Sequence, residues 1–460
     1  MNRSLFIKFA SIAGIALLIL IPLGMIESKI SERSHLRASA EASVAASWTG
    51  SQVVSGPMIA IDYEQQHSVQ GIDDNGFRFE KHDELIKKTV YISPVETKLN
   101  ADMKTDVRKR GIYPLTVFTS SIHYTGHFNN SDIGSAKQQL TKNKSVISIK
   151  EPRIVWHISD PRGLNSVSEL QLNQSQYRLL PGSLDSRDPS GLHLPLTTLL
   201  LDDQQQLEFD LSLELRGMNS LNFIPAGKQT DLQLQADWPH PKFIGAFLPA
   251  SSDISKNNFT ASWHVNEYAS VPNTPERVCD SAFCDHHAAM AFGVELVNPV
   301  DIYLQSERAI KYGFLFVALI FIGFIVFELL KKLPVHPVQY ALVGFSIAVF
   351  FLLLIALSEH INFAIAYSVA TLASVAIVSL YLRSVLRGWP NAAGFGTTLS
   401  LLYGLLFIII QSEDYALLMG ASLCFLVLGA VMLVTRHIDW YEIGHKPNNA
   451  GSPAPIRDGQ

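Results

Sequence analysis

Cysteine is scarce in this chain, three residues in 460, so no framework of disulfides organises it. Charge is scarce too: 17% of residues are charged against 48% hydrophobic, a balance skewed for a soluble protein. The net charge of −5 is small for this length and no block of like charge occurs, which leaves no footprint for nucleic acid. Catalytic motifs are also missing, with no Gly-x-Ser-x-Gly, His-Glu-x-x-His, P-loop, or Ser-x-x-Lys with its partner motifs. Gly394-Phe395-Gly396 lacks the third glycine and the preceding strand of a dinucleotide site, and close helix packing explains it better. Asp160, Arg162 and His240 have ordinary turn and surface explanations. The sequence thus gives no support for an enzyme and calls for no cofactor.

What is abundant is apolar sequence, concentrated in two regions. Residues 5–26 and 311–435 are dominated by Leu, Ile, Val, Phe, Ala and Gly, while 27–310 carry most of the charge, Pro, Asn and Gln. A helix rising about 1.5 Å per residue needs roughly 20 apolar residues to cross a hydrocarbon core of about 30 Å. Six stretches meet that need: 7–26, 312–330, 338–358, 361–381, 393–410 and 415–435. Pro22 in the first is tolerable, because neighbours or water can satisfy the freed carbonyl.

Basic residues set the expected orientation. Arg3 and Lys8 precede the first stretch, Lys331 and Lys332 separate the second and third, Arg383 and Arg387 the fourth and fifth, and Arg436 follows the sixth. The opposite loops, Ser358-Glu359-His360 and Gln411 to Asp414, hold no Lys or Arg; Lys311 is the one exception on that side. The positive-inside rule then puts residues 1–6 and the 436–460 tail in the cytoplasm and 27–310 outside a cell inner membrane, in the periplasm. Ala38-Ser39-Ala40 has the small-x-small look of a signal-peptide cleavage site, yet it lies well past an apolar run longer than a usual h-region, so an uncleaved anchor is expected.

The 27–310 segment reads mainly as period two. In LEFDLSLEL, residues 207–215, five apolar side chains alternate with Glu208, Asp210, Ser212 and Glu214, which a strand places on opposite faces. Residues 230–238 and 259–265 repeat the pattern, and 53–61, 113–124, 145–149, 153–158 and 292–297 are further strand candidates. Residues 27–48 instead show helical spacing with Gly50 as a stop. The expected fold is an α+β membrane protein: six transmembrane helices with a large, mainly antiparallel, sandwich-like β domain inserted between the first and second.

The string CDSAFCDHH at 279–287 raises a question of compartment. Outside the cytoplasm thiols are oxidised, which favours a Cys279–Cys284 disulfide closing a small loop. A zinc site using both cysteines and His286 or His287 has the right ligand types but not a common spacing, and two free thiols are the third reading. Cys424 is read as a small apolar packing residue. Within the membrane, Glu328 could mark an ion path, but a pairing with Lys331 or Lys332 is the plainer reading. Glu359-His360 could titrate near neutral pH, though a solvated turn explains it more simply. Trp440 and Tyr441 read as interfacial anchors.

Several strings resemble the CreD family of bacterial inner-membrane proteins. They are Ser55 to Ile61 (SGPMIAI), Asp237 to Pro241 (DWPHP) with Phe243 to Pro249 (FIGAFLP), Phe327-Glu328, His336 to Gly344 (HPVQYALVG), Leu357 to His360, and Arg436 with Ile438 to Tyr441. Cys279 and Cys284 fall outside that pattern. The resemblance implies a stress-regulated component of cell-envelope integrity, with its gene under a sensor kinase and response regulator, linked to colicin tolerance and the response to β-lactams. It brings no catalytic residues. Trp238 and His240 become interaction candidates, since Pro239 and Pro241 fix an extended backbone around them, although Trp238 ending a core strand explains it equally well. The expected partners are the lipid bilayer and a periplasmic envelope protein or wall component. The alternative function is a transporter or channel using the later helices, with the β domain as gate and Glu328 as its main polar group.

Overall fold

The computed structural model describes residues 3–72, 78–184, 189–196, 206–270, 289–297, 302–331, 335–385, 388–412 and 416–436. The chain divides into two compact units, Arg37–Pro299, and Met1–Leu36 together with Val300–Gln460.

In the first unit, alternation governs. Along the strand Gln206–Met218, Leu207, Phe209, Leu211, Leu213 and Leu215 are buried while Glu208 and Ser212 face out. Strands of this kind assemble into two nine-stranded sheets. One runs Leu180–Pro181, Gly191–Pro195, Arg153–Ile158, Gln52–Ile72, Ser220–Ile224, Phe292–Leu296, Pro241–Gly245, with Arg78–Ile92 and Val146–Ile149 also paired to Gln52–Ile72. The other runs Ser251–Ile254, Phe259–Asn266, Gln229–Ala236, Glu96–Arg110, Tyr113–Asn129, Gln206–Met218, Leu170–Leu172, Ser175–Tyr177, with Leu164–Val167 added beside Gln206–Met218. Inner-face residues of both sheets share one core. Tyr124 meets Trp156 edge-on across the sheets, and Trp263 meets Phe292 and Phe243 at ring separations of 5.7 and 5.6 Å.

The sandwich is less purely antiparallel than expected. Gln52–Ser55 run parallel to Leu221–Ile224, and Gln229–Ala236 run parallel to Glu96–Met103. Side-chain alternation has the same period in both pairings, so a hydrophobic pattern carries no information about strand direction. A helix at Asn130–Lys142 was also not anticipated; it buries only Ile133 and Leu140, and Asn129 caps it by accepting from the Ser131 N–H.

The second unit is helical. The first helix runs unbroken over Arg3–Ser47, joining the apolar stretch at 7–26 to the helix expected at 27–48 and stopping before Gly50. Apolar helices follow at Gly313–Lys331, Pro337–Ser358, Phe363–Val385, Trp389–Gln411 and Ala416–Thr435, so every expected span is helical. By length and apolarity, four described helices can cross a membrane, and a fifth results if Ile302–Lys311 and Gly313–Glu328, bent by 46°, count as one span. Within the last helix the apolar stretch Leu418–Leu433 is shorter than the others. Its Cys424 is exposed, not packed as expected. The helices bury Phe316, Phe324, Phe350, Tyr340 and Tyr403 among themselves while Leu17, Ile21, Leu372, Ile377, Leu401, Phe425 and Leu428 stay outside. Large apolar side chains on the outer surface suit a lipid solvent and would be a liability in water.

Candidate functional site

The outer face of the second sheet is a polar surface shared by five strands of the β unit. Strand register sets Ser262, Gln233, Asn100, His123 and Ser212 in one row across five adjacent strands. Thr260, Gln235, Asp102, Ser121 and Glu214 make the next row, and His264, Asp231, Lys98, Thr125 and Asp210 a third. Neighbouring strands lie about 4.8 Å apart, so each row is a ladder of donors and acceptors at fixed pitch. A depression of about 700 Å³ opens over Asn100, Asp102, His123, Gln233, Gln235 and Thr260, with no lysine or arginine in its lining. One of about 350 Å³ adjoins it around Ser121, Ser212 and Glu214, and another of the same size lies around Lys98, His127, Glu208 and Asp210.

Carboxylates orient the imidazoles on this face. His123 Nε2 lies 3.0 Å from Asp210 Oδ1, and His264 Nδ1 bonds Asp231. Each contact fixes a ring and leaves its other nitrogen outward. Ser251 and Ser262 hydroxyls bond at 2.7 Å, and Glu214 accepts from Asn165 and Ser166. Uncharged amides and hydroxyls with scattered carboxylates suit a ligand rich in hydroxyl groups and oppose an anionic one. The outward set Glu208, Asp210, Ser212 and Glu214 was readable from period two; the ladder was not, because register with strands distant in sequence leaves no local mark.

The residues singled out from sequence fall elsewhere. Trp238 is half-buried against the core and its indole Nε1–H donates to Val297 O at 3.1 Å. His240 is exposed, and its carbonyl accepts from the Val297 N–H. In the helical unit, Glu328 is paired with Lys8 of the first helix and accepts from Tyr340 OH at 2.9 Å and Val335 N–H at 3.2 Å. The side chains of Lys331 and Lys332, its expected partners, lie outside the described residues. Glu359 is not in a solvated turn: its side chain is 10% exposed, 3.4 Å from Arg33 Nε, and accepts from Tyr303 OH at 3.3 Å. His360 beside it is exposed. Helical rise puts Lys8 and Arg33 roughly 37 Å apart, a little more than a hydrocarbon core. The two ion pairs therefore tie the first helix to its neighbours near both ends of one span. Cys279, Cys284, His286 and His287 lie outside the described residues, among which no group of three or more potential metal ligands gathers.

A junction unread from sequence lies where the first helix ends. Asp160 holds Arg162 through its Nη2 at 2.6 Å, and Arg162 Nη1 donates to Ala46 O at 2.6 Å. Those hydrogen bonds from Arg162 keep the Asp160 carboxyl below the usual carboxylate range, against the opposing effect of burial. Trp48 is stacked by Arg108 at 3.8 Å and Arg216 at 4.8 Å.

Both units are spanned by one sequence relationship. The family model described as "Inner membrane protein CreD" matches residues 4–441. The chain belongs to the CreD family. It is 34% identical over 446 residues to the inner membrane protein CreD of Escherichia coli (strain K12), covering 96% of this chain and 95% of that one. The CreD match takes in the β sandwich, both ion-paired ends of the first helix and the apolar helices. This is therefore a multi-pass inner-membrane protein of the cell envelope.

Proposed function

We propose that this CreD-family chain is a non-enzymatic envelope-integrity protein whose β domain holds a wall component. In this reading six helices cross the inner membrane, both termini are cytoplasmic, and the segment 27–310 stands in the periplasm, as the Lys and Arg distribution supports. Synthesis under two-component control, colicin tolerance and a part in the β-lactam response belong to the same reading. The observation that carries it is the polar ladder around Asn100 and Gln233, whose depression offers hydroxyl- and amide-bonding groups without a cation. A glycan strand is the envelope polymer that matches such a surface, being rich in hydroxyls and extended.

The test is co-sedimentation of the full-length protein in nanodiscs with isolated wall sacculi. Wild type is expected to sediment, and Asn100→Ala with Gln233→Ala to lose roughly tenfold in affinity, about 0.7 kcal/mol for each amide removed. Wild type that stays in the supernatant overturns the reading. In cells, the same double variant is expected to leave unrepaired the β-lactam or colicin sensitivity of a deletion strain.

A further inference from the structure

The strands Glu96–Arg110 and Tyr113–Asn129 form a hairpin whose turn passes through Gly111 at φ 62°. Lys104 and all residues from Asp106 to Ile112 are exposed. Lys104, Arg108, Lys109 and Arg110 stand there against two acids, Asp106 of the turn itself and Asp237, whose Oδ1 accepts from the Thr105 N–H at 2.7 Å. Arg108 is engaged by Trp48 and lies 3.9 Å from Asp106; Lys104, Lys109 and Arg110 form no ion pair among the described residues. Between the cations, Val107 and Ile112 are 51% and 45% exposed.

The turn also has a direction within the β unit. Gln52 Nε2 donates to Arg216 O, Met218 N–H donates to Gly50 O, and Val44 and Ala45 pack with Leu115, Val117 and Met218. Arg216 and Met218 lie opposite Thr119 and Val117. The chain followed backwards from residue 52 to 44 thus moves along the hairpin towards its turn.

We propose that the 104–112 turn is a lipid-contacting element that docks on an anionic bilayer surface. Lysine and arginine near such a surface each contribute roughly fivefold in affinity, and aliphatic side chains between them enter the acyl boundary. An acidic polymer would use the cations but not Val107 and Ile112; a lipid surface uses both. The turn closes the same two strands that carry Asn100 and His123, and its cations set it apart from the depression proposed for the wall, which has none in its lining.

The experiment places a photocrosslinking amino acid at Ile112 of the full chain in nanodiscs of phosphatidylcholine with or without phosphatidylglycerol, and counts lipid adducts by mass spectrometry. Adducts are expected to rise with phosphatidylglycerol and to fall roughly 25-fold or more with Lys109→Glu and Arg110→Glu together. The same probe at exposed Leu248, on a different turn, is expected to stay low. Adducts at Ile112 no more frequent than at Leu248, or indifferent to both phosphatidylglycerol and the double substitution, overturn the proposal. Should the double variant lose its native circular dichroism, Lys109→Gln with Arg110→Gln makes the same test.

Discussion

Glu328 draws its three donors from separate places: the Lys8 ammonium, the Tyr340 hydroxyl and the Val335 backbone. Side-chain exposure is 28% for Lys8 and 13% for Glu328, so the two do not tolerate separation equally. A lysine deprived of its partner extends to water along its own stem, whereas the carboxylate has nowhere to go. Lys8→Met should therefore cost about 2–3 kcal/mol and Glu328→Gln only about 1, with the double variant recovering part of the loss. Thermal midpoints in nanodiscs check the order; the reverse order would return Glu328 to consideration as a transport group. Asp160 supplies a second residue-scale prediction. Its carboxyl is held below the ordinary value of 3.8, so its contribution to stability is complete above that value and lost as pH falls through the depressed one. Asp160→Asn should flatten this part of the acid limb of a stability profile and leave the profile above pH 5, roughly, parallel to wild type.

Among the elements, the end of the first helix depends on a residue far along the chain. Arg162 supplies donors to the Ala45 and Ala46 carbonyls, which the helix itself leaves open. Arg162→Ala should speed amide exchange severalfold at residues 44–48, read by mass spectrometry, without changing exchange near Ile19. This helix also shows what local pattern conveys: its apolar run, its helical continuation and its stop before Gly50 were all legible, as were the strands around 207–215, 230–236 and 259–265. Each announces itself through the spacing of its own side chains. Asn130–Lys142 did not, because two buried residues make too thin a stripe to stand out from polar sequence. The burial of Glu359 was hidden for a different reason: its partners Arg33 and Tyr303 are brought to it only by packing. The polar ladder was half visible, one strand at a time.

For the whole molecule, the asymmetry of Lys and Arg between the ends of the apolar helices makes the strongest demand. A reporter active only outside the cytoplasm, fused near residue 200, should be active, and unreduced peptides should carry a Cys279–Cys284 linkage without bound zinc. A cytoplasmic result would remove both the disulfide and the wall-binding role. The parallel pairing of Gln52–Ser55 with Leu221–Ile224, itself bordered by Phe292–Leu296, governs how the insert is made. The first strand of the β unit has no neighbour on that side until residues 221–224 are made, and on that side the sheet gains its next strand only at residue 292. The first sheet is therefore completed only by residues made at the end of the β unit, so a chain truncated before residue 290 is expected to lack the Ser220–Ile224 to Phe292–Leu296 pairing and to lose protection against proteolysis there.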